Sequence, residues 1–202
     1  MKLYYSPGAC SMASHIVAKE LELEVKPIKV DLRTHLTENG GDYYLINPKG
    51  YVPALEIAEG KILTEGVAIL MYLADQKPEK GLNPSGEGME KYHFQELMTF
   101  ISSELHKGMS QFFAKSNYTE EGFAMHLEKL HKRLAYLDSR LTKQEFLSGN
   151  SFTVADAYAY TVLNWRHMFQ FDISQHKNLT MYLEKLAQRP SIVMTLEAES
   201  GK

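Results

Sequence analysis

Between Lys77 and Gly88 the chain carries Lys77-Pro78, Gly81, Asn83-Pro84, Ser85-Gly86 and Gly88, a density of breakers that no continuous helix or strand can cross. The stretch separates two textures. Before it, short β-type runs alternate with helical patterns; after it, only helical patterns occur. The expected organisation is a mixed α/β domain over residues 1–77, a linker over 78–88 and an all-helical domain over 89–202. At 202 residues the chain is long enough to bury a substantial core. A net charge of −3 provides no overall field to draw it to nucleic acid or an anionic membrane. The longest apolar run, Val67 to Ala74, falls far short of the ~20 residues that span a bilayer. The N-terminus enters a strand pattern without a basic leader, so no signal peptide is expected. A single cysteine excludes an intrachain disulfide framework and fits a reducing, cytoplasmic setting.

In the first segment, Leu3-Tyr4-Tyr5 and Lys26 to Val30 read as strands joined by about twenty residues of helical pattern. That is a βαβ unit, and it implies a parallel pair. Pro53 to Ile57 and Lys61 to Leu63 flank Ala58-Glu59-Gly60 as a hairpin. Glu65 to Gln76 is helical, with Val67, Leu70, Met71 and Ala74 on one face. The order β-α-β, irregular, β-β-α is that of a thioredoxin-like fold. In the second segment helical patterns run from about 89 to 114, 120 to 141, 154 to 169, 177 to 188 and 191 to 199, with Arg189-Pro190 between the last two.

Cys10, the only cysteine, follows the first strand and the turn Ser6-Pro7-Gly8-Ala9, and precedes a helix with apolar Ala13, Ile16, Val17 and Leu21. A thiol at a helix start faces unpaired N–H groups and the positive end of the dipole, which favours the nucleophilic thiolate. Thioredoxin-like redox proteins use this geometry with a second cysteine, but position 13 is Ala13, so the partner thiol must come from outside the chain. A lone cysteine can equally be a small buried hydrophobe. Ser11 is placed either to cap the helix or to donate to a bound thiolate. Pro53 opens an apolar strand in Gly50-Tyr51-Val52-Pro53-Ala54-Leu55, where a cis peptide would leave the Val52 backbone open to an extended ligand; an ordinary trans turn is the alternative.

Glu65 and the N–H of Gly66, at the start of the next helix, can grip an α-amino acid head group, or simply begin the helix with Thr64 as cap. In the helical segment Thr99, Ser103, His106 and Ser110 share a face, a row of small polar side chains around one histidine. It reads as a hydrated cleft wall or a solvated surface. None of the eight histidines forms an HxxxH or HExxH pattern, and no metal site is expected. Thr153 and Asp156 have capping-box spacing with Phe152 as a staple. Tyr158 and Trp165, seven apart on the helix that follows, share a face and line either an apolar pocket or the core.

Taken in order over the whole chain, these pieces resemble the cytosolic glutathione transferases, specifically the bacterial beta class. The resemblance rests on Ser6-Pro7-Gly8-Ala9-Cys10-Ser11, Asn47-Pro48-Lys49-Gly50, Val52-Pro53-Ala54-Leu55, Thr64-Glu65-Gly66-Val67-Ala68-Ile69, Glu104-Leu105-His106-Lys107-Gly108 and Phe152-Thr153-Val154-Ala155-Asp156-Ala157-Tyr158. It implies an α/β N-terminal thioredoxin-like domain that binds glutathione as co-substrate and an all-α C-terminal domain with an electrophile pocket. It further implies that Val52, beside a cis-Pro53, pairs with the cysteinyl backbone of glutathione, while Glu65 and Gly66 hold the γ-glutamyl end. His35 lies where some relatives place a basic residue for the glycyl carboxylate. Cys10, Ser11 and His106 would attend the glutathione sulfur, Thr99 would line the cleft, and Ser103, Glu104 and Lys107 would contribute to glutathione binding, Ser103 and Glu104 by reaching a neighbouring subunit in a homodimer. Tyr158 and Trp165 would line the pocket for small hydrophobic electrophiles.

The implied activity is conjugation of glutathione to electrophiles, with thiol–disulfide exchange through Cys10. Two alternatives stay open: a specialised glutathione-dependent dehalogenase, isomerase or peroxidase, and a non-catalytic transferase-like binding module.

Overall fold

The computed structural model describes residues 1–84, 86 and 88–201. Ser85, one of the breakers in the linker, and the terminal Lys202 lie outside the described residues. The chain forms two compact units, Met1–Asn83 with Gln188–Lys202, and Pro84–Ala187.

The first unit begins with β1 (Lys2–Tyr5), α1 (Met12–Glu20) and β2 (Lys26–Asp31). It continues through a two-residue β3 (Leu36–Thr37), β4 (Ala54–Ala58), β5 (Lys61–Thr64) and α2 (Gly66–Ala74). The sheet order is β3-β2-β1-β4-β5. β1 is central: it runs parallel to β2, with Tyr4 opposite Ile28, and antiparallel to β4, with Tyr4 opposite Ala54. The βαβ unit and the hairpin are therefore where the sequence puts them. β3 was not foreseen, since two residues following the exposed Arg33 and Thr34 carry no alternation. The peptide between Val52 and Pro53 is cis.

On α1 the stripe Ala13, Ile16, Val17 and Leu21 is fully buried, but so are Ser14 and His15, on the other side of the helix. The cause lies at the far end of the chain. The last helix, α9 (Pro190–Ser200), packs along α1 and covers the face that the sheet leaves open. Arg189 donates to Glu20 at 2.8 and 2.5 Å, and the Ser191 hydroxyl donates to Glu20 at 2.6 Å. Burial pushes the Glu20 carboxyl pKa up, but these donors outweigh it and leave the value lowered. So α9, which helical periodicity alone groups with the domain over 89–202, belongs to the first compact unit. Pro190 is its first residue, where a missing N–H costs nothing.

The buried face of α2 also differs from expectation. Ile69, Leu70, Leu73 and Ala74 are buried, while Val67 and Met71 stay half-exposed. The run from Val67 to Ala74 is apolar all round, so periodicity cannot choose a side.

The second unit contains α3 (Met89–Phe100), a π-helical segment (Ile101–His106), α4 (Lys107–Ser110) and a 3₁₀ stretch (Gln111–Asn117). These occupy the region that the pattern reads as one helix. Then come α5 (Glu120–Arg140), α6 (Val154–Asn164), α7 (Arg166–Phe169) and α8 (Lys177–Ala187). Of the apolar stripe that helical spacing draws from Phe94 to Phe112, Phe94, Leu97, Met98, Ile101, Leu105 and Met109 are buried, whereas Phe112, in the 3₁₀ stretch, is only half-buried.

At the start of α6 the Asp156 carboxylate is fully buried. It accepts from the N–H groups of Thr153 (2.8 Å) and Leu147 (2.9 Å) and from the hydroxyls of Thr153 (2.9 Å) and Tyr182 (2.6 Å). Burial raises its pKa and these donors oppose the rise. Replacement by alanine would orphan buried donors on three segments. Asp156→Ala is expected to lower the unfolding free energy by about 3 kcal/mol, read from the shift of a urea unfolding curve.

Candidate functional site

The first unit builds one group of candidate residues around the turn between β1 and α1. The N–H of Ala9 donates to Ser6 C=O at 3.0 Å and closes the turn. The next N–H groups are also used: those of Met12, Ala13 and Ser14 donate to the carbonyls of Ala9, Cys10 and Ser11. The helix start therefore offers its dipole, but most of the N–H groups expected there for a ligand are engaged. Ser11 occupies the cap position without capping. Its buried hydroxyl donates to Ser6 C=O and accepts from Ser6 N–H, both at 3.2 Å, and so ties the turn together. The thiol of Cys10, half-buried, donates to the carbonyl of Val52 at 3.1 Å. Cys10 and the residue before the cis-proline thus meet, although forty-two positions separate them.

Glu199, on the last turn of α9, reaches the same turn. Its carboxylate accepts from Gly8 N–H at 2.8 Å and lies 3.1 Å from Nδ1 of the buried His15. Neither residue stands out in the sequence, because their partnership spans almost the whole chain. The Tyr5 ring lies against His15. Burial, then the nearby Glu199 charge, raises its phenol pKa, so Tyr5 stays protonated.

A second group surrounds the start of α2. Glu65 adopts φ 72° and ψ 119°, a conformation that side-chain-bearing residues rarely take and that clusters at functional positions. It holds the cap position that the sequence offers to Thr64, which instead pairs in β5. Its exposed carboxylate is paired with the ammonium of Lys49. Gly66 opens α2, and a Cβ there would meet nothing within 4 Å. His35, at φ 54°, lies against Tyr44 with the rings tilted by 34° and their centroids 4.4 Å apart. Gly50 presses on both rings: a Cβ at this residue would come within 2.8 Å of Tyr44 Cε1 and 3.1 Å of His35 Cε1. Nδ1 of His35 is buried without a hydrogen-bond partner among the described residues. Lys49 is the residue here that sequence reasoning passed over; the same Asn47-Pro48-Lys49-Gly50 loop brings it to Glu65 and Gly50 to His35.

In the second unit the polar row lies on α3 and the π-helical segment. The Thr99 hydroxyl donates to Gln95 C=O at 2.8 Å and the Ser103 hydroxyl to Thr99 C=O at 2.9 Å; both side chains are exposed, as is Lys107. Glu104 is held by Arg133 at 2.5 Å.

His106 ends the π-helical segment, and its Nδ1 lies 2.6 Å from the hydroxyl of Tyr158. The Trp165 ring meets His106 edge-on at 5.3 Å, and the exposed Phe113 meets Trp165 in turn at 5.3 Å. Tyr158 and Trp165 are 4% and 6% exposed, so what they present is chiefly their contact with His106. Among the described residues no group of three or more His, Cys, Asp or Glu side chains is placed to hold a metal ion. No helix among them is long and apolar enough to cross a membrane.

Burial, then the charge of Lys107, pushes the His106 pKa down from 6.5 to about 4, so the ring is neutral at physiological pH. The unfolded chain takes up a proton on this residue below its ordinary value, and the folded chain resists until about 4. Stability is therefore lost as pH falls through that window, by about 3 kcal/mol for this residue. The measurement is urea unfolding at several pH values for wild type and His106→Gln, the variant showing an acid loss smaller by about that amount.

Two family models cover most of the chain: "Glutathione S-transferase, N-terminal domain" matches residues 1–75 and "Glutathione S-transferase, C-terminal domain" matches residues 100–190. The glutathione S-transferase GstA of Escherichia coli O157:H7 is 39% identical over 202 residues, all of both chains. A sphingomonad glutathione S-transferase solved in complex with glutathione superposes with a TM-score of 0.92 at 40% identity, over 99% of each chain. The bacterial beta-class glutathione S-transferase of Sphingomonas chungbukensis superposes with a TM-score of 0.91 at 39% identity, over 98% of each. With a thioredoxin-like unit that brings Cys10 to the residue before a cis-proline, and an all-helical unit that sets His106 beside the buried Tyr158, this chain belongs to the glutathione S-transferase family, in its bacterial beta class.

Proposed function

We propose that this transferase conjugates glutathione to small hydrophobic electrophiles and also exchanges disulfides through Cys10, working as a homodimer in the cytoplasm. The observation that carries the reading is the 3.1 Å contact between the Cys10 thiol and the Val52 carbonyl. An extended peptide that pairs with Val52 would bring its own sulfur beside Cys10. Glu65 would accept from the γ-glutamyl ammonium, with the Lys49 pair opening toward that end's carboxylate; the N–H of Gly66 would donate to the same carboxylate. His35 would serve the glycyl end, and Thr99, Ser103, Glu104 and Lys107 would line the site as the family resemblance implies. Ser11 acts here by holding the turn that carries Cys10.

In conjugation the glutathione thiolate attacks the electrophilic carbon; a carbon–sulfur bond forms and the leaving group departs with its electron pair. A neutral donor such as His106 stabilises the thiolate. In exchange, the Cys10 thiolate attacks the glutathionyl sulfur of a mixed disulfide. The substrate leaves as a thiol, and Cys10 is left disulfide-bonded to glutathione. A second glutathione thiolate then releases oxidised glutathione and restores Cys10. Homodimer formation is supported by exposed apolar side chains on each unit, Leu45 and Tyr51 on one and Met89 and Tyr92 on the other, as a protein interface requires.

The test is an activity panel of an aryl halide, a hydroperoxide and a glutathione mixed disulfide with wild type and Cys10→Ala. Conjugation should fall by less than about tenfold and exchange by about a hundredfold or more. Retained exchange in the variant would show that Cys10 is not the exchanging thiol, and a rate confined to the hydroperoxide would replace conjugation with a peroxidase.

A further inference from the structure

The geometry points to Tyr158 as a positioning residue that fixes the tautomer of His106, so that the ring presents a neutral Nε2–H donor to the glutathione sulfur. The inference rests on the reading that His106 attends that sulfur. Tyr158 and His106 are joined by one hydrogen bond, and either the phenol or the ring nitrogen could supply its proton. The short 2.6 Å separation is consistent with the phenol as donor. Ring N–H donors settle near about 2.9 Å, hydroxyl donors near about 2.7 Å. The chemistry agrees: a phenol is the stronger acid, and a bare imidazole nitrogen accepts better than a phenol oxygen.

Nδ1 is thereby an acceptor, and a neutral ring then carries its proton on Nε2. Packing keeps that orientation. Tyr158 and Trp165 both meet the His106 ring edge-on, at 5.6 and 5.3 Å, and both are buried, so the ring has little room to flip. The ring sits on the last residue of the π-helical segment, whose wider turn rotates it relative to the α-helical phase of α3. Burial that holds the His106 pKa near about 4 keeps this arrangement intact through neutral pH. The role reached here for Tyr158 is thus upstream of the reacting atoms: it acts through His106 rather than by touching the electrophile.

The experiment is nitrogen-15 NMR of histidine-labelled full-length protein, wild type and Tyr158→Phe. The variant keeps the ring that fills the core and removes only the hydroxyl. Wild-type His106 should show a protonated Nε2 and a bare Nδ1, and the variant should show Nδ1 shifted toward its protonated position. With glutathione bound, the pKa of its thiol, followed by thiolate ultraviolet absorbance against pH, should rise by about 1 in Tyr158→Phe, while KM for glutathione moves less than about twofold. A proton on Nδ1 in the wild type, or an unchanged tautomer in the variant, overturns the assignment. A locked tautomer whose signals ignore saturating glutathione would instead overturn the placement of His106 at the sulfur.

Discussion

A buried carboxylate that cannot be left unpaired organises the helical unit. Asp156 has no water to solvate it, so its donors must be brought to it: the loop through Leu147, the cap residue Thr153 and Tyr182 of α8. Meeting that demand fixes where α6 begins and how it is rotated. Tyr158 lies two residues further along α6, at the start of its second turn, so the rotation that satisfies Asp156 also sets where the Tyr158 hydroxyl goes. That hydroxyl in turn meets His106. His106 thus meets a residue placed by a folding signal that makes no contact with the histidine itself.

The thioredoxin-like unit uses a second carboxylate in a parallel way. Glu199 joins α9 to the Gly8 N–H and to His15, and Glu20 joins the start of α9 to the end of α1. The helix that bears Cys10 at its start is thus gripped at both ends by the C-terminal helix. The turn itself is held by Ser11 and Ser6. Cys10 stays half-buried, so the loop carrying it is not stabilised by deep burial; polar ties behind it supply the rigidity instead.

What the sequence revealed and what it hid divide along the same physical line. Local devices were legible: the βαβ unit, the hairpin around Gly60, the spacing of Thr153 and Asp156, the proline before β4. Each depends on residues within a few positions of one another. The face of α2 was not legible, because its apolar residues run all round. The break in the helix from α3 was not, because the apolar stripe from Phe94 to Met109 continues through the π-helical segment without a Pro to mark it; its one Gly, Gly108, comes after the segment has ended. Glu199, Lys49 and Arg133 were missed because an exposed-looking charge acquires its meaning only from the partner that folding brings to it. Position alone offers Ser11 either a cap or a contact to a bound thiolate; its hydroxyl is instead a tie within the turn, because Ser6 competes for it.

The neutral state of His106 carries a consequence for how such a site handles a thiol. A histidinium would stabilise a thiolate strongly, but only where the ring holds its second proton, and burial withholds that proton from His106 through neutral pH. A neutral N–H donor gives a smaller stabilisation that is constant across the whole range in which the thiol itself titrates. Burial costs the protein the charged form and gains this constancy; the tautomer must then be right, since the other tautomer would turn a lone pair toward the same place. A phenol suits that task, because its O–H is a donor that the bare ring nitrogen can accept. Depressed basicity at His106 and a hydroxyl on its Nδ1 are therefore complementary: the first keeps the ring neutral, and the second bears on which nitrogen carries its single proton.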